Sequence, residues 1–315
     1  MKIALDMMGG DFAPAEAALG VKKFLTEATT ADLEIIGLGD KDKLTEAFHP
    51  FNQPLPPGLR MVHCTETIQY TEHPVKALKA KPDSEIAKGF ALLASGEADA
   101  FISAGNTGAM MVGSMFYLKL SPGILRPTIA TIIPRSNSKT GLLLDVGINS
   151  DCKPENLDQF ATMGTVYARE LLSIQNPTVG LLNIGEEEGK GNLLAQAAYP
   201  LLKQNPFIQF RGNVEGRDLL TDSVDVVVCD GFTGNVLLKL MESLYPVTRQ
   251  QGISHSYFDR FHFEQYGGTP VLGIEKPVIV GHGVSGAEAF YNMIVLAEKM
   301  IRRDFIGKLA ADFVQ

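Results

Sequence analysis

The chain has 315 residues, of which 45% are hydrophobic and 20% charged, and its formal net charge is −8. This length and balance describe an ordinary soluble globular protein, either one large domain or two lobes. The acidic sum argues against bulk nucleic-acid binding, which favours a basic surface, and no apolar run approaches the roughly 20 residues of a membrane span.

The N-terminal run Ile3–Asp6 reads as a strand, too short and too soon interrupted by Met8-Gly9-Gly10-Asp11 to be a signal peptide. A helix follows over Ala13–Ala28, then a strand at Leu33–Gly37 and a helix at Lys41–Phe48. The proline-rich stretch Pro50–Gly58 reads as a loop, Leu59–Val62 as a third strand and Ile86–Leu93 as a helix. Thr128–Pro134 and Thr140–Val146 are apolar runs joined by the polar turn Arg135–Lys139, which predicts a hairpin. Pro154–Leu172 has the pattern of a long amphipathic helix, expected to pass between two lobes. Thr178–Asn183, Ile208–Gly212 and Val278–Gly281 are further strands; Leu193–Lys203 and Gly286–Asp304 are further helices. Such alternation predicts an α/β fold: a three-layer α/β/α sandwich with a mixed, largely parallel sheet. No linker separates independent domains, so residues 1–315 read as one domain of two intertwined lobes, roughly 1–150 and 151–315.

One pattern occurs twice. Ala98–Ala109 and Val224–Asn235 each run from an acid (Asp99, Asp225) through an apolar strand to a Gly-x-Thr-Gly turn, then to an apolar helical stretch (Ala109–Leu118, Val236–Met241). Gly105 corresponds to Gly231, Thr107 to Thr233 and Gly108 to Gly234. A strand that ends in glycines and opens a helix gathers backbone N–H groups at a helix N-terminus, which suits an anion. The duplication suggests two related halves with a site between them.

Other polar residues also collect where strands end, and in open α/β sheets ligands bind at the carboxyl ends of strands. They are Asp6 with Gly9, Gly10 and Asp11; Ser103 and Asn106; Asp145 and Asn149; Glu187, Lys190 and Asn192; Asp230 and Asn235; and His282 between two glycines. Lys190, flanked by Gly189 and Gly191, has the setting of an anion-neutralising cation. Glu186–Glu188 read more simply as a solvated loop face, and Gly9-Gly10-Asp11 alone could be a capped turn. Lys76, Lys79 and Lys81 form a small basic cluster that could meet an acidic carrier or line a solvated helix face. Met110, Met111 and Met115 could line an acyl groove or simply fill a helix core. Cys64, Cys152 and Cys229 lie far apart with no CxxC spacing, which suits a reducing cytoplasm. The chain has no Gly-x-Ser-x-Gly elbow, HExxH, Walker motif or G-x-G-x-x-G fingerprint, so neither a covalent nucleophile nor a dinucleotide site is expected. No metal ligand set and no cofactor are expected either. Such a chain would bind two substrates and stabilise charge.

Taken together and in order, these segments resemble the PlsX family of phosphate acyltransferases: Met1–Asp11, Ile102–Ala109, Leu143–Gly147 with Asn149, Leu181–Glu187 with Lys190-Gly191-Asn192, Gly212–Glu215, Asp230–Val236 and Tyr266-Gly267-Gly268. The resemblance implies transfer of a fatty acyl group from acyl carrier protein to inorganic phosphate, giving acyl phosphate for phospholipid synthesis. It also implies a fold shared with phosphotransacetylases and isocitrate-dehydrogenase-like enzymes, a homodimer and peripheral membrane association. The turns Ser103–Gly108 and Asp230–Asn235 would hold phosphate through backbone N–H groups and Asn106, Thr107, Thr233 and Asn235. Lys190 would neutralise charge, and His282 would assist the leaving thiolate. A phosphotransacetylase acting on short acyl-CoA, or a non-catalytic scaffold for the carrier, are the alternatives. One departure stands out: Leu240–Gln265 is shorter than the helical excursion of relatives, and Val247–Gly252 interrupts its helical pattern.

Overall fold

The computed structural model describes residues 1–27, 32–48 and 55–313. In chain order the elements are β1 (Lys2–Asp6), α1 (Ala15–Glu27), β2 (Glu34–Gly39), α2 (Lys41–Phe48), β3 (Leu59–His63), α3 (Pro74–Ala80), α4 (Glu85–Ser95), β4 (Ala100–Ser103), α5 (Thr107–Tyr117), β5 (Thr128–Pro134), β6 (Thr140–Leu144), α6 (Pro154–Leu171), β7 (Thr178–Leu182), α7 (Leu193–Gln204), β8 (Gln209–Val214), β9 (Val226–Val228), α8 (Gly231–Gln250), α9 (Ser256–Asp259), β10 (Gly268–Leu272), β11 (Val278–Gly281), α10 (Ala287–Arg302) and α11 (Phe305–Ala311). Residue 28, the end of the first expected helix, and residues 50–54 of the expected proline-rich loop lie outside the described residues.

The chain packs as two compact units. One is Met1–Lys119 with Glu264–Ile306; the other is Leu120–Phe263 with Gly307–Gln315. This corrects a bisection near residue 150: the second unit is a long excursion from the first, and the first is closed by chain that returns 144 residues after leaving it.

In the first unit β3, β2, β1, β4 and β11 are parallel in that order, and β10 is antiparallel to β11. Ile3, Ala4, Leu5 and Asp6 are all buried, as are all four residues of β4. Successive strand residues face opposite ways, so burial of every one means that both faces are covered. Helices α4 and α10 both pack on β1 and β4.

In the second unit β5 and β6 form the expected hairpin, with Pro134 opposite Thr140. Strand β6 then continues in parallel order through β9, β7 and β8. The amphipathic helix α6 belongs to this unit. It packs on β6, β9, β7 and α7 inside this unit, with twelve of its eighteen residues buried. Another difference concerns α8, which continues past Pro246 to Gln250, so the break in the helical pattern falls at Gly252 (φ +71°). The sequence reading missed β10, because Gly268-Thr269-Pro270 carries turn residues, and the short helices α3, α9 and α11.

The two repeated acids have a clear structural task. Asp99 Oδ2 accepts from Lys2 N at 2.7 Å, and the Asp99 N–H donates to Lys2 O at 2.7 Å. Asp225 Oδ2 accepts from Thr178 N at 2.8 Å, and the Asp225 N–H donates to Thr178 O at 3.0 Å. Each acid thus fastens the start of its strand's neighbour, far from the strand's carboxyl end, in the same geometry in both units.

Candidate active site

In the first unit the adjacent parallel strands β1, β4 and β11 bring Gly9–Asp11, Ser103–Gly108 and His282–Ser285 to one edge of the sheet. Asp6, 2% exposed, organises this edge. Its Oδ1 accepts from Met8 N and Gly9 N, both at 2.9 Å, and its Oδ2 accepts from Ser103 Oγ at 2.6 Å. Ser103 Oγ in turn accepts from Gly105 N at 2.9 Å. A Cβ on Gly9 would sit 2.6 Å from both Asp6 Oδ2 and Gly105 N, so only glycine lets the two turns close together. The turn after β1 is tied to that after β11 by Asp11 N donating to Gly283 O at 2.7 Å.

Asn106 caps α5: its Oδ1 accepts from Ala109 N at 2.9 Å. Its Nδ2 faces the carbonyls of Gln69, Tyr70 and Glu72. The Asn106 carboxamide is therefore engaged inside the protein, which corrects its expected phosphate contact. The backbone N–H groups of Gly9 and Gly105 are engaged as well. Thr107 and Gly108, the first two residues of α5, differ: among the described residues their N–H groups have no acceptor, and Thr107 is exposed. A helix N-terminus with open amides and a hydroxyl is competent to hold an anion. His282 Nδ1 accepts from Val284 N at 3.3 Å, and the backbone carbonyl of His282 accepts from Ser285 N and Oγ.

Behind this edge lies a group absent from the sequence reading. Glu85, 2% exposed, accepts from Thr67 Oγ1 at 3.1 Å. Burial, followed by the charge of Asp6, pushes its carboxyl up to about 8. Burial also pushes Asp6 upward, against the pull of its three hydrogen bonds. Tyr70 was likewise missed; its hydroxyl donates to Ala104 O at 2.8 Å. Both residues lie where no strand periodicity marks them, and only the folded chain brings them to β1 and β4.

The second unit has its own edge, formed by β6, β9, β7 and β8. Asp145, fully buried, accepts from Gly147 N and Ile148 N (both 3.2 Å), Asn149 N (2.7 Å) and Asn149 Nδ2 (2.8 Å). It shapes the loop after β6 much as Asp6 shapes that after β1. Asn149 O accepts from Gly231 N at 2.8 Å. Asp230 caps α8, accepting from Thr233 N and Thr233 Oγ1, both at 2.8 Å. Asn235 Nδ2 donates to Val146 O at 3.1 Å.

This geometry changes the reading of the second Gly-x-Thr-Gly. It is the first turn of α8, not a turn preceding the helix. Gly231, Thr233 and Gly234 all donate their N–H groups internally, so among the described residues only Phe232 offers an open amide there, against two at α5. A Cβ on Gly234 would lie 1.8 Å from Asp145 O, so that glycine serves close packing of α8 on the loop after β6.

The loop from Asn183 to Asn192 joins β7 to α7. Glu187 and Lys190 are exposed, and among the described residues the Lys190 ammonium makes no ion pair. Asn192 caps α7, its Oδ1 accepting from Ala195 N at 2.8 Å, which leaves the amides of Leu193 and Leu194 without an acceptor among the described residues. Burial pushes the Cys64 thiol up to about 12, Cys152 up to about 11 and Cys229 well up, which disfavours their thiolates. Among the described residues no three His, Cys, Asp or Glu gather as a metal set, and no helix is long and apolar enough to cross a membrane. Of the methionines expected to line a groove, Met110 is fully buried in the core, whereas Met115 is exposed.

Solved structures share the architecture. A phosphotransacetylase from Streptococcus pyogenes superposes with a TM-score of 0.67 at 18% identity, covering 95% of this chain and 93% of that one. A branched-chain phosphotransacylase from Enterococcus faecalis V583 gives 0.59 at 16% identity, covering 96% and 99%. At such identity the likeness concerns the fold. Sequence similarity runs closer: the phosphate acyltransferase of Thermoanaerobacterium thermosaccharolyticum is 44% identical over 328 residues, covering 98% of this chain and 96% of that protein. The phosphate acyltransferase of Dictyoglomus turgidum is 40% identical over 332 residues, with the same coverage. Residues 1–251 match the family described as fatty acid synthesis protein, a match that ends where α8 ends. With residues 1–251 matched by the family and near-complete coverage of its relatives, the chain belongs to the fatty acid synthesis protein family.

Proposed function

We propose that this chain transfers an acyl group from a thioester of acyl carrier protein to inorganic phosphate, giving acyl phosphate and free carrier thiol. The observation that carries this reading is the near-full-length similarity to proteins named phosphate acyltransferase. Each unit offers a chemically suitable feature: in the first, the open amides of Thr107 and Gly108 with the Thr107 hydroxyl suit a phosphate; in the second, Lys190 supplies a positive charge that makes no ion pair among the described residues.

In the proposed reaction a phosphate oxygen attacks the thioester carbonyl carbon. The carbonyl π electrons move to oxygen, then return as the carbon–sulfur bond breaks. The thiolate takes up the proton that phosphate gives up. Lys190 neutralises charge on the phosphate or the developing oxyanion. His282, whose Nδ1 accepts from Val284 N, would assist the leaving thiolate. Asp6, Gly9, Gly10, Asp11, Ser103 and Gly105 shape the edge around Thr107; Asp145, Asn149, Asp230, Gly231, Thr233, Gly234 and Asn235 shape that of the second unit. Glu187 and Asn192 belong to the Lys190 loop. The proposal extends to a homodimer in the cytoplasm with peripheral membrane contact, consistent with a lipid product.

The test is acyl phosphate formation from a long-chain acyl-carrier thioester and phosphate, trapped with hydroxylamine, beside a parallel reaction with acyl-CoA. Phosphate-dependent product from the carrier is expected. Product from acyl-CoA alone would instead make the chain a phosphotransacetylase. Lys190→Met should lower kcat roughly 10²–10³-fold, as loss of an oxyanion donor does; full activity would remove Lys190 from the mechanism.

A further inference from the structure

An exposed lysine on a long loop samples many positions, yet the main chain around Lys190 is fixed from two strands. Asn213, at the end of β8 and 7% exposed, donates Nδ2 to Glu187 O at 2.8 Å. That same carbonyl accepts from Lys190 N at 3.0 Å. On the other side of the residue, Asn183 at the exit of β7 donates Nδ2 to Lys190 O at 3.1 Å. Its Oδ1 accepts from Ile184 N at 2.8 Å, so the asparagine itself is held. Gly191 (φ +95°) permits this contact, since a Cβ there would lie 2.2 Å from Asn183 Oδ1.

Two further observations give this arrangement a purpose. Asn213 Oδ1 is buried without a hydrogen-bond partner. A lone buried acceptor is unfavourable, so what Asn213 contributes is its donor, and that donor is spent on the Lys190 loop. The neighbouring acids, meanwhile, are drawn aside: Glu188 pairs with Lys203 at 3.0 Å, and Glu186 lies 3.9 Å from Arg217. Among the described residues the Lys190 ammonium makes no ion pair, and its main chain is fixed.

We propose that Asn213 and Asn183 are positioning residues that present Lys190 for the reaction without themselves touching substrate. This deepens, and rests on, the role of Lys190 proposed above. Preorganised charge stabilises a transition state without reorganisation, and a misplacement of about 1 Å can cost roughly 10²-fold in rate.

The test uses the full chain as Asn213→Ala, Asn183→Ala, Lys190→Met and the double variant Asn213→Ala/Lys190→Met. Limited trypsinolysis, followed by mass spectrometry at the Lys190–Gly191 bond, reads the clamp without reference to activity. Cleavage there should rise about tenfold in both asparagine variants, because proteolysis tracks local opening. Their kcat per folded molecule, with the folded fraction measured for each variant, should fall roughly 10–10²-fold, with KM for phosphate changed less than about twofold. Asn183 is only part-buried, so its variant keeps the test open if Asn213→Ala folds poorly. The double variant should be no slower than Lys190→Met, since residues that act through one group are not additive. Unchanged cleavage in both asparagine variants, or a double variant slower by the full product of the two effects, overturns the proposal. A fully active Lys190→Met would overturn the role of Lys190 instead, and the cleavage rates would still decide whether the clamp exists.

Discussion

Ser103→Ala removes one oxygen from the place where the turns after β1 and β4 are joined. Ser103 is fully buried; its Oγ donates to Asp6 Oδ2 at 2.6 Å and accepts from Gly105 N at 2.9 Å. Loss of a hydrogen bond to an ionisable partner costs about 1.5–3 kcal/mol, and the stranded Gly105 N–H adds about 1–3 kcal/mol. Relaxation recovers part of that, so a destabilisation of about 3 kcal/mol is expected. For a cooperative unit of about 160 residues, each kcal/mol lowers Tm by about 2–4 °C, which gives a drop of about 6–12 °C by calorimetry. Thr107→Ala is the matched control: it changes an exposed hydroxyl four residues away, and surface changes of this kind stay within about 0.5 kcal/mol. It should leave Tm in place while raising KM for phosphate. If Ser103→Ala melts within about 2 °C of the parent protein, the Asp6–Ser103–Gly105 chain does not hold the edge together.

The remaining predictions follow from single contacts. The folded state keeps the Glu85 proton up to about pH 8, whereas an ordinary glutamate releases it near 4.5. Between those values the native state binds the extra proton, so stability falls as pH rises, by up to about 1.4 kcal/mol per pH unit. Glu85→Gln should therefore melt like the parent protein near pH 4.5 and above it at pH 8; parallel Tm profiles across that range would refute the assignment. Gly234→Ala would place a Cβ 1.8 Å from Asp145 O and should displace α8, seen as loss of soluble folded protein or a large fall in Tm. Asp230→Ala deletes a cap that binds both Thr233 N and Thr233 Oγ1, and should cost about 1–2 kcal/mol in denaturant unfolding, with Asp230→Asn retaining most of the loss-free stability. An unchanged midpoint in the alanine variant would show that the cap carries no weight.

Much of the fold was legible because its signals are local. Runs such as Ile3–Leu5 and Val226–Val228 are apolar at every position, which marks strands covered on both faces, and helices such as Lys41–Phe48 carry their period in a few residues. Short elements failed for the same reason: α9 has four residues and β10 opens on glycine and contains proline, so neither holds enough pattern to be read. The site was legible as a set of polar residues after strands, and the division of labour within it was not. Asp99 and Asp225 repeat in sequence as if they belonged to an anion motif, yet both fasten strand starts.

By itself the sequence determined most of the longer strands and helices, that polar and glycine residues crowd the strand ends, and the family to which the chain belongs. These rest on short-range periodicity and on residue order. Tertiary structure alone decided that the second unit departs from and returns to the first, and that the second Gly-x-Thr-Gly lies inside α8. It also decided which amides at each strand end are spent on Asp6, Ser103, Asp145 and Asp230 and which remain open. The physical reason is that a hydrogen bond satisfied by a residue 97 positions away, as Asp6 satisfies Ser103, leaves no trace in the local pattern of either segment.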